Sequence, residues 1–76
     1  MAKLTLADLK KGERARIVRI LTEESERFLI HGFVEGGEVQ VQHFAPFGGD
    51  PIALRVRDSL IAIRLNEAVQ VEVERL

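Results

Sequence analysis

Short stretches with an apolar residue at every second position restrict the fold of this chain more than any other feature of the sequence. Apolar residues alternate with Glu and Gln over most of residues 38–45, and with Ala or Arg over residues 52–57. Residues 60–65 are almost entirely apolar, and valine alternates with Gln and Glu over residues 69–74. A period of two places alternate side chains on opposite faces of a β-strand. The pattern therefore predicts a sheet with one buried face.

A less regular segment precedes these four. Over residues 14–21, Ile and Val are interleaved with Arg, but the alternation breaks near Val18, which predicts a strand with a bulge or bend at that point. Five short strands in a chain of 76 residues would leave two bare edges if the sheet were flat. The predicted fold is therefore mainly β, a small five-stranded barrel with one or two short helices.

Capping residues mark the helices. Residues 4–12 begin with Thr5 as a candidate N-cap and end in a glycine, where helices commonly stop. Residues 22–31 place three glutamates ahead of an apolar stretch, and Gly32 follows as a second stop. We expect this second helix to close one side or end of the barrel. A single helical turn capped by Asn66 is predicted before the last strand.

The size and composition of the chain favour one domain over residues 1–76, because 76 residues supply only one small core. The absence of cysteine excludes disulfides, thiol nucleophiles and zinc knuckles. No apolar run approaches the ~20 residues that span a bilayer, so we expect a cytoplasmic location without direct membrane insertion. The formal net charge of -1 does not suggest non-specific binding to nucleic acid. The oligomeric state stays open.

Residues that carry chemistry are few. Ser25 and Ser59 have no neighbouring His–acid arrangement, and no glycine-rich loop precedes a helix, so the sequence predicts no catalytic residues and no enzyme. The two histidines, His31 and His43, underfill a metal site, and we expect no metal ligands and no cofactor. An alternative stays open, in which these histidines and nearby carboxylates sense iron as part of a regulatory domain.

Five arginines fall on or beside the predicted strands. Binders of single-stranded nucleic acid combine such cations with aromatic stacking platforms, but this chain has no Trp and no Tyr. We therefore expect no nucleic-acid partner, and solvent-facing arginines that discourage pairing between strand edges. These residues are Arg14, Arg16, Arg55, Arg57 and Arg64.

Proline and glycine crowd into residues 45–51, which we call the 45–51 loop. Proline cannot donate a ladder hydrogen bond and glycine permits unusual backbone angles, so the loop is predicted to be a fixed excursion between two strands. Phe47 lies at its tip and either folds down to close the barrel end or stands out as an anchor for a partner. The candidate partner-binding residues are Pro46, Phe47, Gly48 and Gly49.

An ordered set of motifs covers nearly the whole chain. In chain order the motifs are Phe28-Leu29 in the second helix, the turn and strand at residues 32–41, Ala45-Pro46 through Asp50-Pro51, residues 60–64, and Glu67-Ala68. As a set, in a chain of this length, they are fairly specific. The sequence resembles the ferrous-iron transport protein A (FeoA) family.

This resemblance implies an SH3-like β-barrel and a cytosolic accessory role in bacterial ferrous iron uptake. It implies, as a partner, the ferrous iron permease with its cytosolic GTP-binding domain. The predicted function is a protein–protein interaction module that binds and modulates that domain through the 45–51 loop and the exposed surface of the helix at residues 24–31. A less close resemblance to the C-terminal domain of iron- or manganese-dependent repressors supports the metal-responsive alternative, although no helix-turn-helix precedes the barrel.

Overall fold

The structure is a computed structural model that describes residues 3–44 and 49–76. Within these ranges, no helix has both the length and the apolar character needed to cross a bilayer. The strands are β1 (Arg14–Ile20), β2 (Glu38–Phe44), β3 (Ile52–Val56), β4 (Ser59–Ile63) and β5 (Val71–Arg75). The helices are the 3₁₀ helices η1 (Leu6–Asp8) and η2 (Glu24–His31) and the α-helix α1 (Leu65–Ala68).

The strands form one antiparallel sheet in the order β4-β3-β2-β1-β5. Side chains from all five strands meet in one core, so the sheet curls over it, and the prediction of a mainly β fold with five strands is confirmed. The N-terminal segment covers the outer edge of β5. Thr5 forms a β-bridge with Glu72, and the Val73 N–H donates to the Leu4 carbonyl at 2.9 Å. That edge is therefore partly protected from pairing with another chain.

β1 contains the predicted irregularity. Its register against β5 shifts between Ile17 and Arg19. Ile17 is buried, whereas the next residue, Val18, is 46% exposed. A bulge increases the local twist of a strand. The break in the sequence alternation thus marks a point where the sheet bends.

The buried face follows the alternation in the sequence. In β3, Ile52, Leu54 and Val56 are fully buried, and the two residues between them are less buried. Among the described residues, Phe33 is the largest fully buried side chain, and its ring lies edge-on to that of Phe28 with the centroids 6.2 Å apart. Each strand contributes to the core, with Ile17, Val41, Leu54, Ile63 and Val71 among the buried residues.

The first helix is shorter than the predicted span of residues 4–12. η1 has three residues, because Leu9 is already extended (φ −78°, ψ 149°) and its side chain is buried in the core. Thr5 is the N-cap as predicted, and its backbone N–H donates to Asp8 Oδ2 at 2.9 Å. Gly12, with φ +88°, then turns the chain toward β1.

α1 begins earlier than predicted. Its N-cap is Arg64, and Asn66 lies inside the helix, so the predicted cap was wrong. Two carboxylates accept hydrogen bonds from the backbone N–H groups at the start of this helix. Glu67 accepts the Arg64 N–H at 3.1 Å, and Asp50 accepts the Leu65 N–H at 3.0 Å. The Asp50 contact comes from outside the helix, so the capping pattern of the local sequence does not reveal it.

Candidate functional site

The 45–51 loop is only partly described. Pro46, Phe47 and Gly48 lie outside the described residues, so their role as partner contacts stays a prediction. Gly49 has φ +71°, in the left-handed region that favours glycine. Asp50 accepts a backbone N–H from the first residue of α1 at 3.0 Å. The C-terminal end of the loop is therefore attached to α1.

The helix η2 exposes two large apolar side chains. A 3₁₀ helix has three residues per turn, so only one of three consecutive apolar residues can face the core. In η2 this residue is Phe28, which packs against the core. Leu29 is 48% exposed and Ile30 is 87% exposed. We call Leu29 and Ile30 the η2 apolar pair; it lies on the helix that the sequence predicts as a contact surface.

An ion pair fixes η2 to α1. The Glu67 side chain is 2% exposed, and it accepts two hydrogen bonds from Arg27, Nη1 to Oε2 at 2.8 Å and Nη2 to Oε1 at 2.9 Å. The guanidinium carbon of Arg27 also lies 4.3 Å from the centroid of the Phe28 ring. Bidentate pairing restricts the orientation of both groups. The contact joins residues that are 40 positions apart in the sequence.

These contacts favour the ionised form of Glu67. The hydrogen bond from Arg27 is the main cause that lowers the pKa of Glu67 below the ordinary value of 4.5. Burial acts in the opposite direction, and the backbone N–H of Arg64 lowers the pKa further. The net shift of the Glu67 pKa is downward, so the buried pair remains charged at neutral pH.

The C-terminal end of η2 is also held in place. Gly32 adopts the predicted left-handed cap, with φ +94°, and its N–H donates to the Leu29 carbonyl at 3.0 Å. His31 Nδ1 and Ser59 Oγ are hydrogen-bonded at 3.0 Å. The Arg57 side chain lies against Gly32, where a Cβ atom would be 2.7 Å from Arg57 Nε. The η2 apolar pair thus lies on a helix that is held at Arg27, before the pair, and at its C-terminal end, after the pair.

The histidines that carried the metal-responsive alternative make ordinary contacts. His31 is engaged with Ser59, and His43 is an exposed residue of β2. In the described ranges, no group of three or more His, Cys, Asp or Glu side chains converges as a metal site. These residues therefore supply no set of metal ligands for the metal-responsive alternative.

All five arginines singled out in the sequence are exposed, as predicted. Arg16 Nη1 lies 3.1 Å from Glu74 Oε1, and Arg64 Nη1 lies 3.9 Å from Asp50 Oδ1. The other three line a shallow groove of about 520 Å³ on the outer face of the sheet, which we call the arginine groove. The groove is lined by Arg14, Arg55, Arg57, Glu38, Gln40, Val39, Gly36 and Gly37.

The contact that orients η2 is absent from the sequence-based predictions. The sequence places Glu67 in a one-turn helix and Arg27 in the second helix, after the three glutamates. An acidic residue in a predicted first turn is normally solvated and complements the helix dipole. No local pattern indicates that this one is buried against a cation from another helix.

Comparisons with known proteins are consistent with the fold and with the sequence motifs. A model of the FeoA domain family matches residues 4–75. The Fe(2+) transport protein A/Fe(2+) transporter FeoB fusion protein of Porphyromonas gingivalis is 34% identical over 73 residues, which cover 93% of this chain and only 8% of that protein. The solution structure of the FeoA protein from Chlorobium tepidum superposes with a TM-score of 0.89 at 35% identity, covering 96% of this chain and 70% of that one.

A third relative identifies the architecture. The crystal structure of Stenotrophomonas maltophilia FeoA complexed with zinc, described as a prokaryotic SH3 domain protein, has a TM-score of 0.78 and 29% identity. The superposition covers 93% of this chain and 89% of that one. The predicted SH3-like barrel is confirmed by this likeness.

Proposed function

The chain belongs to the FeoA family, and on that premise we propose that it is a cytosolic, non-enzymatic accessory protein of ferrous iron uptake. In this role it binds the cytosolic GTP-binding part of the ferrous iron permease and modulates transport. Modulation requires only that the chain bind one state of that domain more tightly than the other.

A fused relative supports this choice of partner. In the Porphyromonas gingivalis protein, as its name states, a transport protein A and the transporter FeoB are parts of one polypeptide. Fusion holds two modules at a high effective concentration, and modules on separate chains reach the same proximity only by binding each other. The proposal carries this association over to the present chain.

The observation that carries the proposal is the exposure of the η2 apolar pair on an anchored helix. Ile30 is 87% exposed, although isoleucine is among the residues most often buried in folded proteins. Arg27 in the middle of the helix and Gly32 at its C-terminal end hold the backbone on either side of the pair, so little conformational entropy would be lost when a partner covers it. A rigid apolar side chain that enters a partner pocket is the usual centre of binding energy in an interface.

Replacing Ile30 with Asp tests this surface. We expect the substitution to weaken binding to a purified cytosolic GTP-binding domain of a ferrous iron permease by at least about tenfold, because it places a charge in a contact that loses water. Isothermal titration calorimetry measures the change in affinity. Because Ile30 is exposed, the far-UV circular dichroism of the variant should match that of wild type.

Val18→Asp provides a matched control, because Val18 is a 46% exposed β-branched residue that lies beside Lys3 and Glu72, outside the η2 apolar pair, the 45–51 loop and the arginine groove, and should leave the affinity unchanged. Equal affinities for wild type and Ile30→Asp would remove the η2 apolar pair from the interface. A wild-type chain that does not bind the domain at all would overturn the proposed function.

The 45–51 loop is the second predicted contact and has its own test. If Phe47 is an anchor, Phe47→Ala should reduce the affinity for the same permease domain about tenfold or more. If Phe47 instead closes the barrel end, the substitution should lower thermal stability and leave the affinity of the folded variant unchanged. Calorimetry combined with a thermal melt distinguishes the two outcomes.

A further inference from the structure

Three arginines line the arginine groove, Arg14 and Arg55 on strands and Arg57 in the turn after β3. Arg16, Arg27, Arg64 and Arg75 each have a carboxylate oxygen within ion-pair distance. In the described part of the chain, no ion pair involves the three arginines of the arginine groove, and the only acidic residue that lines the groove is Glu38. The groove therefore carries an excess of positive charge on a chain whose formal net charge is -1.

The sheet register sets the spacing of these cations. Gln40 of β2 lies opposite Arg14 of β1 on one side and opposite Arg55 of β3 on the other. The two arginine Cα atoms are therefore separated by two strand spacings, about 10 Å. In an extended polyproline II segment, which has three residues per turn and rises about 3.1 Å per residue, residues three positions apart lie on the same side of the peptide and are separated by about 9 Å. Two acidic side chains at such positions could each meet one guanidinium.

The walls of the groove fit carboxylates better than a nucleotide. Phosphate sites rely on free backbone N–H groups, often from glycines. Here the N–H of Gly36 donates to the Ile17 carbonyl at 2.7 Å, and that of Gly37 donates to the Val34 carbonyl at 2.9 Å. None of the lining residues is aromatic, so a base would have no ring on which to stack. The groups in the groove that are left to bind a ligand are guanidinium groups, which pair well with carboxylates.

The groove is also continuous with the surface proposed to bind the permease. Arg57 lies against Gly32, which ends η2 two residues after Ile30. On the other side, Arg55 is opposite Leu60 of β4, whose side chain is 55% exposed. Basic and apolar side chains thus adjoin at this edge of the molecule.

We infer that the arginine groove binds an extended acidic segment of the same protein partner, with carboxylates about three residues apart. This inference rests on the proposed function for the identity of the partner. The groove would then supply electrostatic attraction and register, while the η2 apolar pair supplies apolar burial.

A peptide probe tests the groove without the permease. Fluorescein-labelled deca-glutamate should bind at about 50 mM salt and perturb the backbone amide resonances of Gly37, Gln40 and Arg55 in the ¹⁵N-labelled chain. The double variant Arg14→Gln/Arg55→Gln should weaken this binding at least about tenfold. The control Arg16→Gln/Arg64→Gln removes the same charge from arginines outside the groove and should weaken it less than about twofold.

Equal losses in the two double variants would overturn the inference, because they would reflect net charge alone. The inference would also be overturned if GTP or inorganic phosphate perturbed the groove resonances while deca-glutamate did not.

Titration with the permease domain separates the inference from the proposed function. A selective loss of affinity in Arg14→Gln/Arg55→Gln supports the inference. If wild type binds the domain and this variant binds equally well, the groove is excluded as a contact although the proposed function stands. If wild type does not bind the domain, the proposed function fails, and with it the partner that the inference names.

Discussion

Replacement of Arg27 by Met should lower the free energy of unfolding at pH 7 by about 3 kcal/mol, a large part of the total for a domain of this size. Met retains much of the aliphatic volume but removes the guanidinium that pairs with Glu67. The Glu67 carboxylate is 2% exposed and would then be buried without its cation. Urea unfolding followed by far-UV circular dichroism measures the loss.

The pH dependence identifies the cause. In wild type, the pKa of Glu67 is lowered from 4.5, so the pair's contribution is fully present above that value and is lost as the pH falls through the lowered pKa. In Arg27→Met the main cause of the lowering is absent, while burial, which raises the pKa of Glu67, and the backbone N–H of Arg64, which lowers it, remain. The pKa of Glu67 is then higher in the variant than in wild type, so protonation costs the variant less and the stability difference from wild type should narrow as the pH falls from 7 toward 4.

Arg16→Met is the matched control. Arg16 and Glu74 also form an ion pair, at 3.1 Å, but both side chains are about half exposed. Water screens such a pair, so this variant should be nearly as stable as wild type. Losses of the same size in the Arg27 and Arg16 variants, or a difference from wild type that is independent of pH, would contradict the role given to Glu67.

Gly37→Ala should destabilise the fold by about 2–4 kcal/mol, because a new methyl group would collide with backbone that cannot move aside. A Cβ atom at this position would lie 2.6 Å from the Gly32 carbonyl oxygen and 3.0 Å from that of Val34. Gly37 is also held by two hydrogen bonds, from its N–H to Val34 at 2.9 Å and from the Ile17 N–H to its carbonyl at 2.8 Å. Relief of the collision would break one of these contacts.

The neighbouring glycine provides the comparison. Gly36 has φ +87°, but a Cβ atom there would meet nothing within 4 Å. Gly36→Ala should therefore cost only about 1 kcal/mol, from the left-handed backbone conformation. Thermal and urea unfolding of both variants measure the contrast. A Gly37→Ala variant that is no less stable than Gly36→Ala would show that the turn relaxes without loss.

The strands could be predicted because a half-buried sheet imposes its period directly on the sequence. The last strand shows the limit of this signal. Val69 was assigned to it by alternation, but Val69 is the C-cap of α1 and is 51% exposed. β5 instead begins at Val71 and ends at Arg75, one residue beyond the predicted alternation, and its Glu74 pairs with Arg16 on the adjacent strand. Where charged cross-strand pairs extend a strand, the sequence there shows no alternation of apolar residues.

The candidate site was predictable only in part, for a similar reason. The exposed surface of the helix at residues 24–31 was predicted as a contact surface, and the helix type decides which of its residues are exposed. Three residues per turn leave Leu29 and Ile30 exposed behind Phe28. The register that brings Arg14 and Arg55 to either side of Gln40 depends on strand pairing between distant segments, which one sequence does not display.

The carboxylates around α1 connect the 45–51 loop with η2, the two surfaces proposed to bind the partner. Asp50, at the end of the 45–51 loop, and Glu67 both accept backbone donors at the start of α1, and Glu67 also holds Arg27 of η2. Loop, helix and η2 are thus coupled in series through three side chains. A partner that binds η2 would also restrain the C-terminal end of the loop, so the two surfaces would respond to the partner together.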